Sequence, residues 1–203
     1  MNACRILCIA FSLSIGHSAY GEQPVLTQSH LSGLLQQPTV SAIHRDHEGI
    51  LWIGTQEGLH RYDGATLTVF NSDESNNNWI PESEIKDIVE DSDGNLFIAT
   101  SSGALLRWSQ RLASFKPLIP LSLIGTTKIV RLLASEDGSI WMLSKDGLYS
   151  FNQLSETGTE WNLNSELLKQ IGIPRDILKD ISGNLWLAGD MGIACLLAEA
   201  NLL

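Results

Sequence analysis

The stretch Asp46-HEGILWIGTQEGLHRY-Asp63 decides the fold. It opens on an Asp-x-x-Gly turn at 46–49. Asp bonds its own backbone two residues on, and Gly accepts positive φ without steric cost. Leu51-Trp52-Ile53-Gly54-Thr55 follows as a strand of apolar, β-favouring residues. Glu57-Gly58 turns the chain again, and Leu59-His60-Arg61-Tyr62 reads as the next strand. Working outward, Ile43 opens an earlier strand and Phe70 closes a weaker later one.

The same unit is written four times. Ser41-AIHRDHEGILWIGTQEGLHRY-Asp63, Lys86-DIVEDSDGNLFIATSSGALLRW-Ser109, Val130-RLLASEDGSIWMLSKDGLYSF-Asn152 and Arg175-DILKDISGNLWLAGDMGIACL-Leu197 align without gaps. The first turn glycines, Gly49, Gly94, Gly138 and Gly183, stand 45, 44 and 45 residues apart. A second glycine, Gly58, Gly103, Gly147 or Gly192, follows nine residues later. An aromatic, Trp52, Phe97, Trp141 or Trp186, sits three residues after the first glycine. A 44–45-residue unit of four short strands is the signature of a β-propeller blade. The expected fold is therefore all-β, with four-stranded antiparallel blades near 40–70, 85–115, 129–160 and 173–203. One small twisted sheet cannot bury both faces alone, so the aromatic column is expected to fill the space between neighbouring blades.

Composition narrows the function. Of 203 residues, 43% are hydrophobic and 18% charged, which fits an ordered globular chain. Thirteen basic against 23 acidic residues give a net charge of −10, which repels phosphate and excludes a nucleic-acid surface. Residues 1–21, MNACRILCIAFSLSIGHSAYG, place Arg5 before an apolar run and Ala19-Tyr20-Gly21 after it. That order is a signal peptide cleaved near Gly21, and it directs the protein to the periplasm or outside the cell. The run is too short to span a bilayer. Cys4 and Cys8 leave with it, so Cys195 remains without a disulfide partner.

The pattern Asp-x-x-Gly-x-Leu-Trp-Ile-Gly-Thr-x-x-Gly-Leu-x-Arg-Tyr-Asp, nearly intact from Asp46 to Asp63, resembles the two-component regulator propeller repeat. The second unit departs at Phe97 and Ala99, the third at Leu143-Ser144 and the fourth at Ala188-Gly189. The resemblance covers about residues 40–200. It implies a periplasmic sensor propeller that precedes a membrane helix and an output module such as a histidine kinase or diguanylate cyclase. Neither lies in this sequence, so the expectation is the N-terminal part of such a receptor, with further blades or a membrane-linked output module as partners.

Two arrangements of the blades stay open. Propellers close with about four to eight blades. The tail Ala194-CLLAEANLL departs from the earlier third and fourth strands, which favours a truncated, open arc. A closed four-bladed ring would need Val25-Leu26-Thr27 as the last blade's outer strand.

No catalytic constellation emerges. No serine has a nucleophile-elbow context and no glycine-rich phosphate loop precedes a helix. Asp73-Glu74 and Glu82/Glu84 are loop carboxylates. His44, His47 and His60 share one blade but lack recurring carboxylate or Cys partners, so they read as solvated and no metal is assigned. Asp91-Ser92-Asp93-Gly94-Asn95 begins like a calcium loop without the distal Glu, and reads as a hairpin turn. No cofactor is implied. A ligand would meet the connecting segments Asn71–Glu84, Lys116–Lys128 and Gln153–Ile173. Asn76, Asn77, Asn78 and Trp79 set amides beside an aromatic, which suits a small molecule or glycan. The expected role is ligand sensing without enzymatic activity. The alternatives are a secreted propeller lyase or hydrolase, or a protein-interaction scaffold.

Overall fold

The computed structural model describes residues 30–35, 39–75, 78–119, 128–161 and 163–198. The expected signal peptide at 1–21, residues 25–27 considered as an outer strand, and residues Asn76 and Asn77 lie outside them. After a 3-10 turn at His30–Gly33, four antiparallel meanders follow one another. The first sheet runs β1 (Val40–Arg45), β2 (Leu51–Thr55), β3 (Leu59–Tyr62) and β4 (Leu67–Phe70). The second runs β5 (Ile85–Glu90), β6 (Leu96–Thr100), β7 (Leu105–Ser109) and β8 (Ser114–Ile119). The third runs β9 (Ile129–Ala134), β10 (Ser139–Ser144), β11 (Leu148–Asn152) and β12 (Thr157–Trp161). The fourth has three strands among the described residues: β13 (Pro174–Lys179), β14 (Leu185–Gly189) and β15 (Ile193–Leu196).

The turns form as the glycines require. Gly49, Gly94, Gly138 and Gly183 have φ of 87°, 80°, 77° and 86°, where a Cβ would be strained. The Asp side chain holds each of three turns: Asp46, Asp91 and Asp180 accept from the backbone N–H two and four residues on. The second glycine column holds to Gly103, and then the gapless alignment fails. Thr55, Ser144 and Gly189 donate to the carbonyl of the second glycine, but Thr100 donates to Ala104. Ala104 is an extra residue, so Leu105 rather than Ala104 takes the place of Leu59. A bulge also recurs near the start of every first strand, at Ser41, Lys86, Val130 and Arg175. It lets the strand twist where the blades crowd together.

The blades stack through their faces. β1 lies beside β5, β5 beside β9 and β9 beside β13, and no comparable packing returns β13 to β1 among the described residues. The arc is open. Three apolar cores fill the three gaps. Trp52 (1% exposed) is sealed by Ile88, Leu96, Ile98 and Leu106 of the next blade. Its ring meets Trp108 and Phe115 edge-on, with centroids 5.2 and 6.1 Å away. Phe97 packs on Ile129, Met142 and Phe151, and Trp141 (8% exposed) on Leu185 and Leu187. Trp186 breaks the expectation at 40% exposed, because no blade covers its face among the described residues. Leu178 and Ile193 flank it at 62% and 70% exposed. β6 is buried on both faces, whereas β14 is buried only on the face that meets the third blade.

Polar staples tie the same seams. Asp87 Oδ2 accepts from Leu132 N of the next blade at 2.7 Å. Arg131 stands between Asp87 and Asp176, with Nη1 3.7 Å and Nε 3.2 Å from their carboxylates. Glu90 takes both the backbone N–H and the ring of His47, plus His44 at 3.2 Å. Lys179 Nζ donates to Ser135 Oγ at 2.6 Å and Asp137 Oδ2 at 2.9 Å.

One element was not anticipated. The segment Gln153–Ile173, read as a loop, holds β12 and a two-turn helix, α1 (Ser165–Ile171). Asn164 caps it by accepting from Leu167 N, and Ile171, Leu167 and Leu168 join the third core. An Asx cap followed by apolar residues at i, i+1 and i+4 was its available signal.

The packing predicts unequal costs along one column. Trp52→Ala should remove about 3–5 kcal/mol of unfolding free energy, as for a large buried aromatic. Trp186→Ala should remove a small fraction of that. Urea denaturation of both variants checks the ratio, and equal losses would contradict the stacking.

The turn carboxylates predict the acid limb of stability. Burial alone would raise Asp137, but Lys179 and the Ser139 N–H outweigh it and pull it down to about 2. Folding therefore gains from ionised Asp137 above its unfolded value near 3.8, and loses that gain as pH falls toward 2. The melting temperature should drop between about pH 4 and pH 2, and Asp137→Asn should drop less over that window.

Candidate functional site

Stacked blades leave a groove at the rim of the first and third seams, between a turn of one blade and the end of the third strand of the next. Between the first and second blades this groove encloses about 240 Å³. Trp52, Phe70 and Trp108 form its apolar wall, and Asp46, Glu48, Arg61, Asn78 and Gln110 its polar rim. Trp52 Nε1 donates to Asp46 Oδ2 at 2.7 Å, and Gln110 Nε2 to both oxygens of Glu48. The Arg61 guanidinium lies 5.9 Å from the Trp52 ring centroid, a cation–π contact.

The groove between the third and fourth blades encloses about 250 Å³. Trp141, Leu148, Trp161, Leu185 and Leu196 line it, with Asp137 and Lys179 at one end. Trp141 and Trp161 stand 5.2 Å apart, and Trp161 Nε1 donates to Ser150 Oγ. A wider cleft of about 530 Å³ separates the turns of the same two blades around Ser135, Glu136, Asp180 and Ser182.

The residues singled out in the sequence scatter. Asn78 reaches the first groove, while Trp79 is exposed and bridges to Asn71. Asn76 and Asn77 lie outside the described residues. Glu82 and Glu84 lie near enough to share Ser101, but each is taken up by its own donors. Glu82 accepts from Ser101 and Ser102, and Glu84 pairs with Lys86. Burial would raise Glu82, but those serines hold it below the usual carboxylate range. Asp91 is occupied as a turn acceptor, with Asn95 and Gln153 on its second oxygen. Among the described residues no three His, Cys, Asp or Glu side chains gather as a metal site would require.

The histidines divide. His47 is exposed, and its hydrogen bond to Glu90 raises its pKa. His60 is not solvated, as its sequence context implied, but fully buried beside Ile53 in the sheet. Burial lowers its pKa against weak opposition from the Ile53 and Gly58 backbone, and neither ring nitrogen makes a full hydrogen bond. Arg61, Trp108 and Gln110 were missed as groove residues. The signal for Trp108 and Gln110 was the repeat itself, which puts the third-strand end of one unit against the turn of the unit before, whereas Arg61 faces Trp52 within its own sheet.

The family described as the two component regulator propeller matches residues 33–57 and 80–102. No curated protein matches the chain. Solved structures share its fold. The extracellular domain of a B. thetaiotaomicron protein, described as a hybrid two component system, superposes with a TM-score of 0.67 at 22% identity, over 81% of this chain and 22% of its own. A second such domain from that organism gives 0.56 at 18%, over 77% and 26%. A virginiamycin B lyase from Staphylococcus aureus, solved with quinupristin, gives 0.60 at 15%, over 82% and 59%. This chain thus spans about a quarter of the length of these two extracellular domains. Two stretches, in the first and second of its blades, thus match the two component regulator propeller model.

Proposed function

We propose that this chain is part of the extracytoplasmic input domain of a signalling receptor. It contributes a run of blades to a larger propeller that binds a small molecule or glycan, and an output module carried elsewhere reads the change. The repeat match at 33–57 and 80–102 carries this reading. The charge–apolar–small order of residues 1–21 supports export, and no helix among the described residues is long and apolar enough to cross a membrane.

The face of the fourth blade supports the larger propeller. Leu178, Trp186 and Ile193 stand open where the equivalent faces of the first three blades are sealed. A further blade would bury them as the second blade buries Trp52. Glu82, Glu90, Asp137 and Asp180 are held below their ordinary range by hydrogen-bond donors, so they are poor general acids near neutral pH, whereas burial raises Asp87.

Alkaline phosphatase fused after Ala198 tests the export that this role requires. The fusion should be active in a bacterial host, and deleting residues 2–21 should abolish the activity. Inactivity of the intact fusion at normal expression would refute the extracytoplasmic assignment. A thermal-shift screen of oligosaccharides and small metabolites tests binding. A true ligand at 100 times its Kd should raise the melting temperature by about 5 °C or more.

A further inference from the structure

We infer that the rim groove between the third and fourth blades binds a flat aromatic ligand bearing a neutral hydrogen-bond acceptor, an aromatic amide for example. The inference stands on the groove alone and does not rest on the sensory reading. Equivalent positions recur at all three seams, and at the first two the protein's own polar groups satisfy one another. In the first, Asp46 accepts the Trp52 N–H and Gln110 bonds Glu48. In the second, the aromatic is Phe97, which has no N–H to satisfy. There Gln153 Nε2 spans the seam to Asp91 Oδ2 and bonds Gly138 O, each at 3.0 Å.

The third seam lacks both the acceptor and the amide. Ser135 stands where Asp46 stands in the first blade, and Ala198 stands where Gln110 does. The Ser135 hydroxyl accepts from Lys179 instead. Trp141 Nε1 is therefore buried with no partner, while its ring forms part of the cavity wall. A buried donor without an acceptor is costly, and an entering acceptor recovers that cost. The indole of Trp186 shows the contrast, because Asp180 accepts its N–H at 2.9 Å.

The rest of the lining selects the ligand. The volume of about 250 Å³ sits below the usual range for drug-sized ligands, so one or two rings fit. Trp141, Trp161, Leu148, Leu185 and Leu196 offer flat apolar walls. The polar end carries no net charge, because Lys179 is paired with Asp137 at 2.9 Å and Asp137 stays ionised near neutral pH. A ligand carboxylate would face Asp137 without a free cation to balance it. A neutral carbonyl oxygen can take the Trp141 N–H without that repulsion.

The test uses the full ¹⁵N-labelled chain and follows its indole N–H resonances, with Trp141 assigned by its loss in Trp141→Phe. 2-Naphthamide should shift the Trp141 resonance saturably, and 2-naphthoate should bind roughly fivefold more weakly or worse. Trp141→Phe, which copies Phe97 of the second blade, should weaken 2-naphthamide by roughly five- to tenfold and naphthalene, which loses only wall area, by a clearly smaller factor. Ser135→Asp supplies the internal acceptor and should also weaken 2-naphthamide. If that variant misfolds, the phenylalanine variant decides alone. An unmoved Trp141 resonance, equal affinity in Trp141→Phe, or a response confined to Trp186 on the open face would overturn the assignment.

Discussion

The contact of one blade's aromatic with the next blade's face is the constraint on which the structure depends. A meander of four short strands has two apolar faces and no thickness of its own. Each face must be covered by a neighbour. Trp52, Phe97 and Trp141 do this covering at successive seams, and each ends against strands some 45 residues onward. The polar staples are arranged around that packing. Asp87, Arg131 and Asp176 bind the inner strands, while Glu90 and Lys179 reach back to the turn of the blade before. Such exposed or half-exposed pairs add modest stability and chiefly fix register.

The same constraint explains the site. Because seams repeat, their rim grooves repeat, and each inherits its floor from the aromatic column and its lip from the turn. Small substitutions at equivalent positions then decide whether a groove's polar groups are satisfied. Asp46 and Gln110 take part in internal hydrogen bonds at the first seam, Gln153 spans the second, and Ser135 with Ala198 leaves the third with an unsatisfied donor. Function in a repeat architecture can thus reside in departures from the repeat.

Much of the fold was legible in the sequence. The glycine and aromatic columns located the first two turns and the second strand of each unit, since a tight turn needs a particular residue type at a fixed place. Three features were not legible. The bulges at Ser41, Lys86, Val130 and Arg175 carry no residue preference, because they arise from crowding among neighbouring inner strands. The extra residue Ala104 hides inside an apolar run, where a slip of one leaves composition unchanged. His60 looked solvated because burial on a blade face depends on what covers the sheet, not on the strand itself. The site was less legible still. Amides at Asn78 pointed to the first groove, but the orphaned Trp141 N–H required knowing that Ser135 and Trp141 are partners in space.

Inter-blade NOEs from the Trp52 indole test the stacking most directly. The account predicts strong cross-peaks to the rings of Trp108 and Phe115, which lie 5.2 and 6.1 Å away in the next blade, and none from Trp186 to any other blade. A Trp52 indole without contacts to the second blade, or a Trp186 indole packed against the first, would contradict the open stack of blades.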